Sequence, residues 1–317
     1  MFVSRVISRP EPEAEKTREW MKNLREKIPP KVYDIDPYVE VFCLRDGVFS
    51  LFAESADGMG DTWHHLIVGP ELALLIDTGF GIGNLKALVN FLTGNMPLLV
   101  TVTHEHLDHS YGCFQFDRVY CHEFAVPILK SQMNPHIWDN LYDEDGNGKW
   151  LRFNKRDIIP FKEYEIISCP NNFVFDLGRG HTVEMVHTPG HAPGGVSFID
   201  RLNRILFTGA MHSNYVTVGC NPNKRARIPY SEYNSVTAFL AELKKLEKRL
   251  SEFDRVFPAH EILDLDNIIV PDMVKVCEAV IADPDSQDFY TENKFGVKVK
   301  HKALGAGSIR YIDQSIT

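Results

Sequence analysis

The chain has 317 residues, 44% of them hydrophobic and 24% charged, which is enough to bury a large core and too ordinary in Gly and Pro for a disordered or collagen-like protein. Its 34 basic against 43 acidic residues leave a net charge of -9, which repels phosphate backbones and anionic surfaces, so a small-molecule substrate is expected rather than nucleic acid or a membrane. No apolar run reaches the roughly 18 residues of a membrane helix, the start lacks the apolar centre of a secretory signal, and the six dispersed cysteines form no Cys-x-x-Cys pair; a cytoplasmic protein with reduced, buried thiols is expected.

Trp20, Met21, Leu24 and Ile28 recur at helical spacing among charges until Pro29-Pro30. Residues 1–37 are therefore read as a helical extension, either a strut or a lid or homodimer contact, ahead of one domain at 38–317. From residue 38 short apolar bursts alternate with helical stretches, which predicts an α/β arrangement. Each burst runs into polar residues: Leu72–Ile76 into Asp77-Thr-Gly, Leu98–Thr103 into His104, Val183–Val186 into His187-Thr-Pro-Gly-His191, Ile205–Phe207 into Thr208-Gly-Ala210, and Arg255–Phe257 into Pro258-Ala-His260. In layered α/β folds such strand tips line the ligand crevice. Residues 131–165, rich in Asn, Asp and aromatics, read as an insertion that shapes a pocket; within it Asp143–Gly148 resembles half a calcium loop, but Asn154 stands where a bidentate Glu is required, so an acidic turn is expected. Ser235 caps an amphipathic helix carrying Val236, Phe239, Leu240, Leu243, Leu246 and Leu250.

The chemistry concentrates in Thr103-His104-Glu105-His106-Leu107-Asp108-His109. Extended residues i and i+2 share a side, so His104 and His106 can grip one metal ion while Asp108 and His109 reach a second. Imidazole and carboxylate ligands suit zinc, iron or manganese and the absence of thiolates leaves the choice open, with zinc the first expectation. His191 is the candidate third ligand of the first ion, and His260 can serve the second. His187 is expected to be a supporting group, and His64-His65, His212 and Tyr215 follow strand tips where a pocket would be lined; Tyr215 or His212 could donate to an oxyanion.

Residues 40–275 resemble, motif by motif and in order, the metallo-β-lactamase superfamily of binuclear hydrolases. The resemblance implies an αββα four-layer sandwich of two mixed β-sheets. It implies one divalent transition-metal ion on His104, His106 and His191, a second on Asp108, His109 and His260, and Asp77 behind them orienting the ligand-bearing loop. It also implies attack on a carbonyl by a metal-bound hydroxide, with Asp108 or a metal-bound water helping to protonate the leaving group. The family's bridging Asp is replaced by Ala210, whose methyl group cannot bind metal, so the second site is expected to be weakened and the chain impaired, whether by natural variation or by substitution. An ester, thioester or lactone is the expected substrate class. Two other readings are a mononuclear iron oxygenase of the persulfide type and a non-catalytic metal-binding relative.

Overall fold

A computed structural model describes residues 5, 15–219, 228–293 and 296–317 of the chain. The N-terminal helix spans Glu15–Lys27, and the earlier part of the expected helix lies outside the described residues. Its apolar stripe is used: Met21 is buried, Trp20 meets Trp63 edge-on at 6.3 Å, and Arg25 grips the carboxylate of Glu40 at 2.8 Å. No helix among the described residues is long and apolar enough to cross a membrane.

The chain groups into two compact units, one of Met1–Cys121, Leu129–Ser168 and Phe175–His181, the other of His122–Ile128, Cys169–Val174 and Thr182–Thr317. The first is built on an eight-stranded mixed sheet whose strands follow chain order. Lys31–Tyr33, Asp36–Arg45, Val48–Ala53, Thr62–Val68 and Ala73–Ile76 pair antiparallel; Leu98–Thr101 and Arg118–His122 then add in parallel. The all-buried run Ala73–Ile76 is the pattern of a strand covered on both faces. Its link to Leu98–Thr101 is the helix Leu85–Thr93, capped by the Asn84 side chain and closed by Gly94 in the left-handed region.

In the same unit, residues 131–165 carry their own apolar centre: Trp138, Leu141, Leu151 and Phe153 are buried with Phe80 and Phe114. Trp138 Nε1 donates to the Phe80 carbonyl at 2.7 Å and Gly83 N–H to the Asp157 carbonyl at 3.0 Å, so this segment braces the loop that follows Asp77. The acidic turn within it is closed by its own chain, with Asp143 Oδ1 accepting from the N–H groups of Asp145 and Asn147, while Asn154 caps a short 3-10 turn.

Beside that brace lies Asp36, fully buried, with Oδ1 accepting from Tyr38 N–H at 3.2 Å and Oδ2 without a hydrogen-bond partner. Burial, opposed by backbone bonds from Tyr38 and Asn84 and by the charge of Arg5, pushes its carboxyl up to about 7. The folded protein therefore holds this proton more tightly than the unfolded chain, and the stability it contributes at acid pH is lost as pH rises from the ordinary carboxylate range through 7. Asp36→Asn is expected to stabilise the protein against urea by roughly 1–3 kcal/mol at pH 8 and by much less at pH 4. An equal shift at both pH values would contradict this reading.

The second unit has a mixed sheet in which Arg255–Pro258 runs parallel to Ile205–Thr208, while Val196–Asp200 and Thr182–His187 continue antiparallel on the other side. Helices Val236–Glu247 and Ile269–Ala282 bury Phe239, Leu243, Met273 and Val276 in its core. Ser235 caps the first of these, its hydroxyl accepting from Ala238 N–H at 3.2 Å, and Leu250 falls just beyond it in a 3-10 turn. Beyond the two expected sheets there is a third, in the order Val216–Thr217, Gly307–Tyr311, Lys298–Leu304, Phe289–Glu292. Of the cysteines, Cys113, Cys121, Cys169 and Cys277 are buried thiols, Cys43 is exposed, and Cys220 lies outside the described residues. Cys43 corrects the expectation of uniform burial: it takes an outward position on Asp36–Arg45, where its thiol donates to the Arg45 carbonyl.

Candidate metal centre

In the first unit the site is organised by Asp77, which ends the Ala73–Ile76 strand in the left-handed region, at φ 66°. That backbone is costly for a side-chain-bearing residue, least so for Asp and Asn. The turn aims the carboxylate back across the sheet. Oδ1 accepts from Thr103 N–H at 2.6 Å, while Oδ2 accepts from the Thr103 hydroxyl and from His109 Nδ1, each at 2.9 Å. Gly112 makes this closeness feasible, since a Cβ there would lie 2.1 Å from the Thr78 carbonyl oxygen.

Proton bookkeeping then fixes the imidazoles. The single Thr103 hydroxyl proton goes to Asp77, so the contact of 3.0 Å to His104 Nδ1 is one in which His104 donates. His104 Nε2 is left as a lone-pair donor, 3.1 Å from His106 Nδ1. His109, whose Nδ1–H is taken by Asp77, turns Nε2 towards Asp108 at 3.4 Å, where it holds a proton that a bound cation would displace. Burial alone would depress the His109 pKa, but the Asp108 and Asp77 carboxylates outweigh it and push the ring up to about 10. The chain has built a buried place that favours positive charge, ringed by donors of the borderline-soft kind that suit a transition-metal cation. Glu105, between the two histidines, is buried, and burial pushes its carboxyl up to about 7.

The second unit holds the other candidates. His191 sits on the loop after Thr182–His187, held by Thr188 N–H to the Gly195 carbonyl at 2.8 Å and Gly190 N–H to the Tyr233 carbonyl at 2.9 Å. Gly190, at φ 103°, meets Phe239 too closely for any Cβ. His191 Nδ1 donates to the Thr217 carbonyl at 2.8 Å, which presents Nε2 as in His104. His187 is a tie within that loop, Nε2 donating to the Pro193 carbonyl at 2.8 Å, and its ring stacks on His122 at 4.3 Å. Ala210 lies in the bend after Ile205–Thr208, where the Gly209 carbonyl accepts from Ala259 N–H at 3.1 Å, beside His260. His212 Nδ1 accepts from Asn214 N–H, and its ring lies 5.8 Å from that of His260. Tyr215, at φ 47°, packs its ring against Phe289 and His301.

In the first unit, His64 and His65 are buried on opposite faces of Thr62–Val68; His65 Nδ1 meets the Ser50 hydroxyl at 3.2 Å and His64 lies against Gly79. Two residues that orient candidate ligands were not singled out from sequence. Thr103 carried a signal in its place directly before His104. Thr217 carried none, because it acts through a backbone carbonyl that every residue possesses.

The metallo-beta-lactamase superfamily model matches residues 58–249. Among curated proteins, human acyl-coenzyme A thioesterase MBLAC2 is 28% identical over 240 residues, covering 68% of this chain and 79% of the relative. Hydroxyacylglutathione hydrolase GloC of Haemophilus influenzae is 27% identical over 43% of this chain and 59% of its own length. The atrochrysone carboxyl ACP thioesterase of Aspergillus fumigatus is 30% identical over 49% of this chain and 34% of the relative. Among solved structures, the metallo-β-lactamase TMB-1 superposes with a TM-score of 0.54 at 17% identity, covering 77% of this chain and 99% of that one, and a metallo-β-lactamase from Pontibacter korlensis gives 0.52 at 16%, covering 76% and 99%. The fold is the one those enzymes share, and the chain belongs to the metallo-β-lactamase superfamily as one of its hydrolases.

Proposed function

We propose that this chain is a metal-dependent thioesterase that cleaves an acyl group from a thiol carrier. Two relatives are named as thioesterases, of acyl-coenzyme A and of an acyl carrier protein, and a third as a hydrolase of acylated glutathione, so the shared feature is an acyl group on a sulfur-bearing carrier. The observation that carries the metal dependence is the set of imidazoles whose Nδ1–H groups are tied to Thr103, Asp77 and the Thr217 carbonyl, each leaving Nε2 for a cation.

One ion would be held by His104, His106 and His191 and a second by Asp108, His109 and His260, with zinc the first expectation and iron or manganese the alternatives. Bound metal would polarise the thioester carbonyl and lower the pKa of an attacking water. Asp77 holds His109 and Thr103 in place, Thr103 holds His104, and Asp108 or a metal-bound water is proposed to carry a proton towards the departing sulfur. Tyr215 or His212 is proposed to donate to the developing oxyanion. Ala210 in place of a bridging carboxylate weakens the second site and slows turnover. The substrate is a small molecule, the location proposed is the cytoplasm, and a homodimer is the proposed alternative to a monomer.

The test is hydrolysis of a panel of acyl-coenzyme A and acyl-glutathione thioesters beside matched oxygen esters and lactones, with zinc, iron or manganese supplied. Thioesters are expected to turn over fastest; a preference for lactones or oxygen esters, or oxygen consumption with bound iron, would overturn the reading. Elemental analysis of the purified protein is expected to find transition metal that the double substitution His104→Ala with His106→Ala abolishes. Metal content unchanged by that pair would remove its foundation.

A further inference from the structure

The superfamily match ends at residue 249, yet a ligand-orienting contact of the second unit depends on strands that lie well past it. The carbonyl that fixes His191 belongs to Thr217, on the strand Val216–Thr217, only two residues long. So short a strand cannot hold its own direction. It pairs in parallel with Gly307–Tyr311, Val216 opposite Ile309 and Thr217 opposite Arg310. Three further ties fasten the same stretch to that strand: Val218 N–H donates to the Arg310 carbonyl at 2.9 Å, Tyr215 N–H donates to the Ser308 hydroxyl at 2.8 Å, and Arg310 Nε donates to the Thr217 hydroxyl. The strand Gly307–Tyr311 is itself immobilised. Ile309 and Tyr311 are fully buried, Gly307 packs so closely that a Cβ would lie 2.5 Å from the Asp272 carbonyl carbon, and the neighbouring strand is pinned by buried Lys300 on Asp285 at 2.7 Å and Asp313 at 2.6 Å.

We infer that the C-terminal hairpin is a working part of the metal centre, with Ser308 and Arg310 as positioning residues that hold the Thr217 carbonyl and thereby keep His191 in the tautomer that offers Nε2. The inference rests on the reading of His191 as a metal ligand. A hydrogen-bond acceptor at the far nitrogen fixes both the ring orientation and the tautomer of a ligating histidine, and loss of such a partner commonly weakens metal binding. Neither side chain touches substrate in this scheme, so its signature is a change in ligand state, not in substrate affinity.

The test compares the unaltered protein with Ser308→Ala/Arg310→Ala and with Arg310→Lys, using the full chain and zinc alone as the probe. Nitrogen-15 chemical shifts of His191 in metal-free protein report the tautomer, and competition with a chelator reports zinc affinity. The double variant is expected to populate the Nε2–H tautomer, to bind zinc about tenfold more weakly and to lose kcat with KM on a thioester held within about twofold, while Arg310→Lys recovers most of the affinity. An unchanged tautomer and zinc affinity in the double variant would overturn the inference. So would a loss of affinity that merely tracks a fall in thermal midpoint and is not recovered by lysine. The tautomer and zinc measurements need no turnover, so absence of thioesterase activity would sink the proposed function and leave this test standing.

Discussion

Ala210→Asp is expected to raise kcat on a thioester by roughly 10²–10³-fold, in the range of other groups that act on developing charge. KM should move by less than about threefold, because the pocket walls are untouched and the added carboxylate acts mainly in the transition state. The backbone is ready to receive it. The bend after Ile205–Thr208 is locked by the Thr208 hydroxyl on the Met211 carbonyl at 2.7 Å and by Ala259 N–H on the Thr208 and Gly209 carbonyls, and Ala210 is only partly buried. In a binuclear site two cations stand about 3.5–4 Å apart, and a bridging carboxylate offsets their repulsion, so the substitution should also raise the second equivalent of metal bound. Metal titration and steady-state kinetics on the two proteins give the comparison; equal turnover and equal stoichiometry would make Ala210 the working residue.

The second large effect is expected at Asp77. Asn keeps the size of the side chain and tolerates the left-handed backbone, so Asp77→Asn isolates the charge and acceptor capacity from the turn. Both Asp77 oxygens face donors, Oδ1 the Thr103 N–H and Oδ2 the Thr103 hydroxyl and His109. One of them would become an NH2 group set against another donor, and either His109 or Thr103 would be released. Zinc affinity is expected to fall about 10–100-fold. Stability of the metal-free protein should fall by about 1–3 kcal/mol, the cost of leaving a buried polar group without its partner. Zinc competition and urea unfolding give the two numbers, and a variant with unchanged zinc affinity would remove Asp77 from the metal centre.

Much of this architecture was legible because strand tips and periodic helices leave marks in the sequence. The apolar bursts ending in Asp77, His104, His187, Ala210 and the residues before His260 all close strands of the two main sheets, and Ser235 caps its helix. The C-terminal sheet was not legible. Lys298–Leu304 reads as a solvated, charged run, and only in the folded chain does Lys300 find Asp285 and Asp313 and become buried. The composition of residues 131–165 suggested a pocket-shaping insertion; their aromatic side chains pack on one another and brace the loop after Asp77, and Leu151 lines a small pocket with His64, Phe80 and Gly81. In the site, side-chain donors announce themselves by type and spacing. The Thr217 carbonyl does not, and its partner strand lies about ninety residues away, as Tyr215 and Ser308 do at a separation of 93.

The segment 131–165 also bears on how such a chain can diverge. Its buried members, Trp138, Leu141, Leu151 and Phe153, form a root shared with Phe80 and Phe114, whereas Asn134, Pro135, His136, Asp143, Glu144 and Asp145 stand exposed at its rim. Rim and root are separable under selection. Replacement at the rim leaves the Trp138 to Phe80 bond and the turn behind Asp77 intact, so lineages can explore new outer surfaces here without paying in metal-site geometry. Change at the root reaches Asp77 directly, and there divergence is expected to stall.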